Sequence, residues 1–101
     1  MAAATPILIY RGALNDTSYE TVYTVPMESK VIITNVVITT GGDSDLWVGV
    51  RVDGYELLST TVLPNTTVTL DCSQVCEPGT VITARGGFYS MAHISGVEVP
   101  A

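Results

Sequence analysis

Apolar and polar residues alternate along most of this chain with a period of two, and nowhere over a useful length with the period of a helix. Leu46 to Asp53 shows it most cleanly, with Val48, Val50 and Val52 on one side and Trp47, Gly49, Arg51 and Asp53 on the other. Such alternation is the mark of a strand with one buried face. Thr66 to Leu70 repeats it, with Val68 and Leu70 inward and Thr67 and Thr69 outward. Val31 to Thr40 is the longest apolar run, and Glu20 to Val25 alternates up to Pro26. Shorter or looser segments are Ile7 to Tyr10, Tyr55 to Val62, Val81 to Ala84 and Phe88 to Val99. Together these predict eight strands.

Turn chemistry separates them. Gly12 to Ser18 is a polar loop, Met27 to Lys30 a turn, and Gly41 to Asp45 a run of turn formers. Asp53-Gly54 between two alternating runs is the strongest hairpin signal in the chain. Leu63-Pro64-Asn65 and Gly86-Gly87 break the pattern again. The one helical turn expected is Ser73 to Glu77, stopped by Pro78-Gly79. Many short strands at this spacing imply an all-β fold, a single antiparallel β-sandwich of jelly-roll type.

Composition narrows this. Val, Thr and Ile supply 35 of 101 residues, and β-branched side chains suit a pleated surface. The length allows one domain, residues 1–101, with no linker or repeat. Ten acidic residues face four basic ones, a net charge of −6. That balance argues against nucleic acid as a partner, because phosphate contacts need Lys and Arg. No stretch has the length of a membrane helix, so no membrane partner is expected. Met1-Ala2-Ala3-Ala4 lacks the basic and long apolar parts of an export signal, which predicts a product of the cytoplasm. Only 14% of residues are charged, which leaves apolar surface to be covered by other copies or other proteins.

No constellation of catalytic or metal-binding residues stands out, and no cofactor is expected. His93 is the only histidine and lies mid-strand, with no serine in an activating context. Asp43-Ser44-Asp45 carries two carboxylates but reads as a plain turn, short of the six to eight oxygens calcium takes. Cys72 and Cys76 fall short of a zinc set. They read as small buried thiols under a turn, as a local disulfide, or as a bond between chains. Asn15-Asp16-Thr17 and Asn65-Thr66-Thr67 match the glycosylation sequon but mean nothing without export. Trp47 points away from the valines of its strand and reads either as a partly covered surface residue or, the preferred reading, as an interface anchor. Arg51 and Arg85 lie on strands and are candidates for pairing with carboxylates across a subunit contact.

Several segments in order carry a resemblance. Thr21-Val22-Tyr23-Thr24-Val25-Pro26 is followed by Lys30-Val31-Ile32-Ile33-Thr34-Asn35-Val36-Val37-Ile38, then by Trp47-Val48-Gly49-Val50. Next come Leu63-Pro64-Asn65-Thr66-Thr67-Val68-Thr69-Leu70-Asp71, Glu77-Pro78-Gly79-Thr80-Val81-Ile82 and Ala92-His93-Ile94-Ser95-Gly96-Val97-Glu98-Val99. Over about residues 20 to 99 the chain resembles small β-sandwich structural proteins of tailed bacteriophages. It departs from them at Met27-Glu28-Ser29, where an Ala-Gly turn is usual, and at Cys72 and Cys76, where leucine is usual.

The resemblance implies a non-enzymatic virion protein. Capsid decoration (cement) is the first expectation and a tail or fibre subunit the second. It also implies a homotrimer bound to the major capsid protein or to tail proteins. Met1 to Tyr10 is then read as a possible N-terminal arm lying on a neighbour, with Pro6, Ile7 and Ile9 at the contact. A carbohydrate- or receptor-binding module is the rival, and it predicts clustered exposed aromatics with polar loops at one end of the sandwich. A small hydrolase is a third reading.

Overall fold

The computed structural model describes residues 4–14, 16–87 and 89–101. Five positions used above, Met1, Ala2 and Ala3 of the arm, Asn15 of a sequon and Phe88 at the head of the last expected strand, lie outside them. The elements are β1 (Thr5–Ala13), β2 (Glu20–Thr24), β3 (Ser29–Thr40), β4 (Leu46–Val52), β5 (Tyr55–Val62), β6 (Thr67–Cys76), β7 (Val81–Gly86) and β8 (Ser90–Pro100). They form two four-stranded sheets, sheet I in the order β1-β8-β3-β6 and sheet II in the order β2-β7-β4-β5. Every pairing is antiparallel.

The pairs β4–β5, β3–β6, β2–β7 and β1–β8 are successive rungs of one long hairpin. Further pairing of β3 with β8 and of β4 with β7 rolls that ribbon into two layers. This is the jelly roll expected from the spacing of strands and turns. Its tip is the Asp53-Gly54 turn, where both residues have positive φ, 49° and 82°. A two-residue loop with positive φ at both centres matches the twist of the flanking strands, and glycine takes that conformation without penalty. Asp53 also ties the tip to β7: its amide donates to the Val81 carbonyl at 2.9 Å, and its Oδ1 accepts from the Val81 amide at 2.9 Å.

The core lies between the sheets. Val31, Ile33, Val36 and Ile38 of β3 meet Val48 and Val50 of β4, Ile82 of β7 and Ile94 of β8, all fully buried. Val68 and Leu70 pack against this cluster while Thr67 and Thr69 face solvent, as the alternation predicts. Removing one fully buried isoleucine side chain from such a core costs about 2–5 kcal/mol.

Two local expectations change. Ser73 to Glu77 forms no helical turn, because β6 runs on to Cys76. The even positions Cys72, Gln74 and Cys76 continue the inward series begun by Val68 and Leu70, so period two overrides the local turn signal. Residues 5–10 are no free arm either. They belong to β1, paired with β8 from Thr5↔Glu98 to Ala13↔Met91. A bulge between Leu8 and Tyr10 lets Ile9 turn into the core, where it is 5% exposed.

Candidate interaction faces

The outward face of sheet II carries an ordered aromatic and cationic cluster. Trp47 and Gly49 on β4 lie opposite Thr61 and Ser59 on β5, and Gly49 lies opposite Arg85 on β7. Tyr19, just before β2, reaches across to lie over Gly49. A Cβ at that glycine would run into the Tyr19 hydroxyl and stand 2.8 Å from the Trp47 ring. The absent side chain is thus the space Tyr19 occupies.

The cluster has a definite order. Tyr19 and Trp47 meet edge to face, with ring centroids 6.1 Å apart and planes at 81°. The Arg51 guanidinium sits 3.9 Å from the Tyr19 ring centroid, and that of Arg85 lies 5.7 Å from Trp47. Trp47 Nε1 donates to Ser59 Oγ at 3.2 Å, and Arg85 Nη2 donates to the Asp16 carbonyl at 3.3 Å. Arg51 also pairs with Glu56 at 3.8 Å. A cation over an aromatic face contributes about 0.5–1 kcal/mol when exposed and more when dry. Tyr19 Oη and Arg51 Nε are buried with no hydrogen-bond partner among the described residues. Trp47 remains 38% exposed. The arrangement offers an apolar platform between two cations, suited to a partner's apolar side chain or carboxylate.

The outward face of sheet I is built differently. Pro6 on β1 lies opposite Val97 on β8, Val97 opposite Ile32 on β3, and Ile32 opposite Val75 on β6. These four form an apolar row across the whole sheet. The next row is Leu8, Ser95, Asn35 and Asp71, and the one after it Arg11, His93, Val37 and Thr69. Leu8, Val75 and Met91 are each about half exposed, at 51%, 50% and 53%. Gly96 presses so closely against the Ile32 carbonyl of β3 that a Cβ has no room. Gly96, Ser95, Leu8, Pro6, Thr34 and His93 border a shallow depression of about 520 Å³ on this face.

The expected contact residues divide between these surfaces and the core. Pro6 stands outward on sheet I and Trp47 outward on sheet II. Ile9 is a core residue and Ile7 is half-buried against the core, so neither is presented to a neighbour. Sequence reasoning marked Trp47 but missed Tyr19, Arg51 and Arg85 as one group. Trp47, Gly49 and Arg51 at alternate outward positions were a readable signal, whereas the arrival of Tyr19 depends on the path of the chain before β2.

The remaining candidates do not converge. His93 is exposed on sheet I beside Arg11 and Val37. Asp43, Ser44 and Asp45 are all exposed between β3 and β4. Among the described residues no group of three His, Cys, Asp or Glu side chains is placed to hold a metal ion. Asp53, Glu56 and Glu77 border a groove of about 380 Å³ beside Tyr55 and Val75. Each of those carboxylates is already engaged, by the Val81 amide, Arg51 and Lys30 respectively.

Both cysteines are free. Four residues of strand separate their Cα atoms by about 13 Å, beyond the roughly 7 Å limit for a disulfide. The local disulfide is thereby ruled out. Burial pushes both thiols up, Cys76 to about 11 with Asp53 and then Cys72 adding to it. A thiol kept protonated is a poor nucleophile.

Among the described residues the exposed aromatics are not gathered at one end. Tyr55 begins β5 beside the Asp53-Gly54 tip, whereas the Tyr89 carbonyl accepts from Gly41 at the other end of β4. The aromatic cluster of this molecule lies on a sheet face instead. No protein-family model matches the chain, and no curated protein is similar to it.

Proposed function

We propose that this chain is a non-enzymatic structural protein of a tailed-bacteriophage virion, and that it decorates the capsid as a symmetric oligomer. The observation that carries the reading is the surface of sheet I. A jelly roll that presents an apolar row across four strands, exposed at Pro6 and Val75 and half-buried at Val97 and Ile32, has a surface suited to a partner. The ordered resemblance from Thr21 to Val99 supplies the setting, a virion and its major capsid protein. A charge-poor sandwich contributes to a shell by adding buried area at subunit junctions, without chemistry. The Trp47–Arg85 platform on sheet II has the composition of an interface anchor and is the surface assigned to the shell, since Trp, Tyr and Arg dominate binding energy at interfaces.

The test is direct. The purified chain is mixed with empty capsids of the phage that encodes it, and bound copies are counted against added protein. Saturable loading that Trp47→Ala weakens at least tenfold is the expected result. Loading on purified tails instead moves the assignment to a tail subunit. Binding to neither, with capture on a glycan array, replaces it with a carbohydrate-binding module.

A further inference from the structure

We infer that the outward face of sheet I is a self-complementary two-fold contact whose occupant is a second copy of this chain. The inference rests on the reading of the chain as an assembly component, though not on which assembly it joins. Three observations point to a copy of the chain itself.

The first is the pattern. The row Pro6–Val97–Ile32–Val75 is apolar from one edge of the sheet to the other. A two-fold axis parallel to the strands, running between β8 and β3, lays β1 of one copy over β6 of the other and β8 over β3. Pro6 then meets Val75, and Val97 meets Ile32, twice over. An isologous contact requires such a reversible pattern.

The second is charge. Arg11 stands outward on β1 at one edge and Asp71 outward on β6 at the other. Among the described residues the ion pairs are Lys30–Glu77 and Arg51–Glu56, which leaves Arg11 without a carboxylate of its own chain. Asp71 accepts from Asn35 Nδ2 at 2.8 Å through Oδ1, which leaves Oδ2. The same axis places Arg11 one row from Asp71 of the other copy, about 6.6 Å along the strand and within reach of an arginine side chain. Each dimer gains two such pairs.

The third is size. Four strands about 4.8 Å apart and roughly nine residues long present a face of about 600 Å². Covering it on both copies buries about 1,200 Å², the lower bound for a stable specific interface. A trimer, the order implied by the resemblance, needs two different patches on each chain, and this face supplies one patch that fits itself.

The experiment is sedimentation velocity on the full chain over a micromolar concentration series. A species of about 21 kDa, twice the 10.7 kDa chain, is expected. Val75→Asp, at a half-exposed edge position, shifts it to monomer with an unchanged circular dichroism spectrum, and Ile32→Asp does the same where it folds. Arg11→Asp and Asp71→Arg each weaken the dimer by about tenfold, and the double variant restores it to within about threefold, because the pair is reformed with reversed polarity. A monomer at every concentration overturns the inference. So does a trimer indifferent to Val75→Asp, or a double variant no better than the singles. A dimer that ignores capsids and tails leaves this contact standing and removes the virion reading. A capsid-loading monomer does the reverse.

Discussion

The two sheets are made from the same β-branched alphabet, yet their outward faces end in different states. On sheet II a glycine at position 49 leaves a hollow, and Tyr19 of the same chain fills it, held between Arg51 and Trp47. That hollow is filled within one monomer, and Trp47 beside it stays 38% exposed. On sheet I the glycine at position 96 is buried at an inward position, opposite Ile7 and Ile33, and the space its missing side chain leaves is taken by the Ile32 carbonyl of β3. The outward side stays open, bordered by Leu8, Pro6 and His93. The comparison teaches that a surface role is set less by apolar content than by whether a flanking loop returns to cover it. The loop before β2 crosses sheet II, whereas the Asp53-Gly54 tip and the Gly87 turn stay at the ends of the strands.

Glycine-to-alanine exchange at the two positions breaks this comparison most strongly. At Gly96 the new methyl meets the Ile32 carbonyl, and a strand in mid-sheet cannot step aside. Gly96→Ala is expected to cost about 3 kcal/mol or more, near the top of the range for overpacking. At Gly49 the methyl meets the Tyr19 and Trp47 side chains, which can swing outward. Gly49→Ala is expected to cost about 1 kcal/mol, with loss of the edge-to-face pair. In a domain of this size roughly 4–8 °C of melting temperature accompanies each kcal/mol. Thermal melts that rank Gly49→Ala below Gly96→Ala in stability would contradict the account of both faces.

The contrast also explains what could be read in advance. Eight strands, the Asp53-Gly54 hairpin and the inward valines of β4 all follow from period-two alternation and local turn chemistry, which act over a few residues. Three features did not follow. The bulge at Leu8/Tyr10 shifts Ile9 inward by register, and register depends on β8, some 85 residues away in sequence. Pro78-Gly79 looked like a helix stop but ends a strand, because pairing of β6 with β3 outweighs the local signal. Tyr19 lies over Gly49 only because β2 and β4 flank β7 in the same sheet. Each miss concerns a partner that is distant along the chain, the information that alternation does not carry.

The interior shared by the two sheets is expected to show itself at high pH. Cys76 is buried between them and its thiol is pushed up to about 11, chiefly by burial. In the unfolded chain a cysteine loses its proton near pH 8.5. Between these values the unfolded chain releases a proton that the folded chain retains, so stability falls as pH rises from about 8.5 to about 11 and levels off above it. The loss is on the order of 3 kcal/mol. Tyr23, raised by burial and then by Glu98, acts in the same direction. Urea midpoints measured across that window should drop steeply for the native chain and less steeply for Cys76→Ala. Equal slopes for the two proteins would show that the thiol is not the group responsible.

The smallest expected effect is the sharpest check on sheet II, because its sign is unusual. Tyr19 Oη is buried under the cluster it helps form and has no hydrogen-bond partner among the described residues. An unpaired buried hydroxyl costs free energy that its ring contacts must offset. Tyr19→Phe keeps the edge-to-face contact with Trp47 and the cation contact with Arg51, and deletes only the atom that is unsatisfied. Stability is therefore expected to stay level or to rise by up to about 1 kcal/mol, where truncation of a satisfied group would lower it. Tyr19→Leu, which also removes the ring, should fall by about 1–2 kcal/mol through loss of both aromatic contacts. Chemical denaturation of the three proteins separates the hydroxyl from the ring. A clear loss for Tyr19→Phe would mean that the hydroxyl is hydrogen-bonded in solution, and that the face of sheet II is held by a polar contact as well as by the stack.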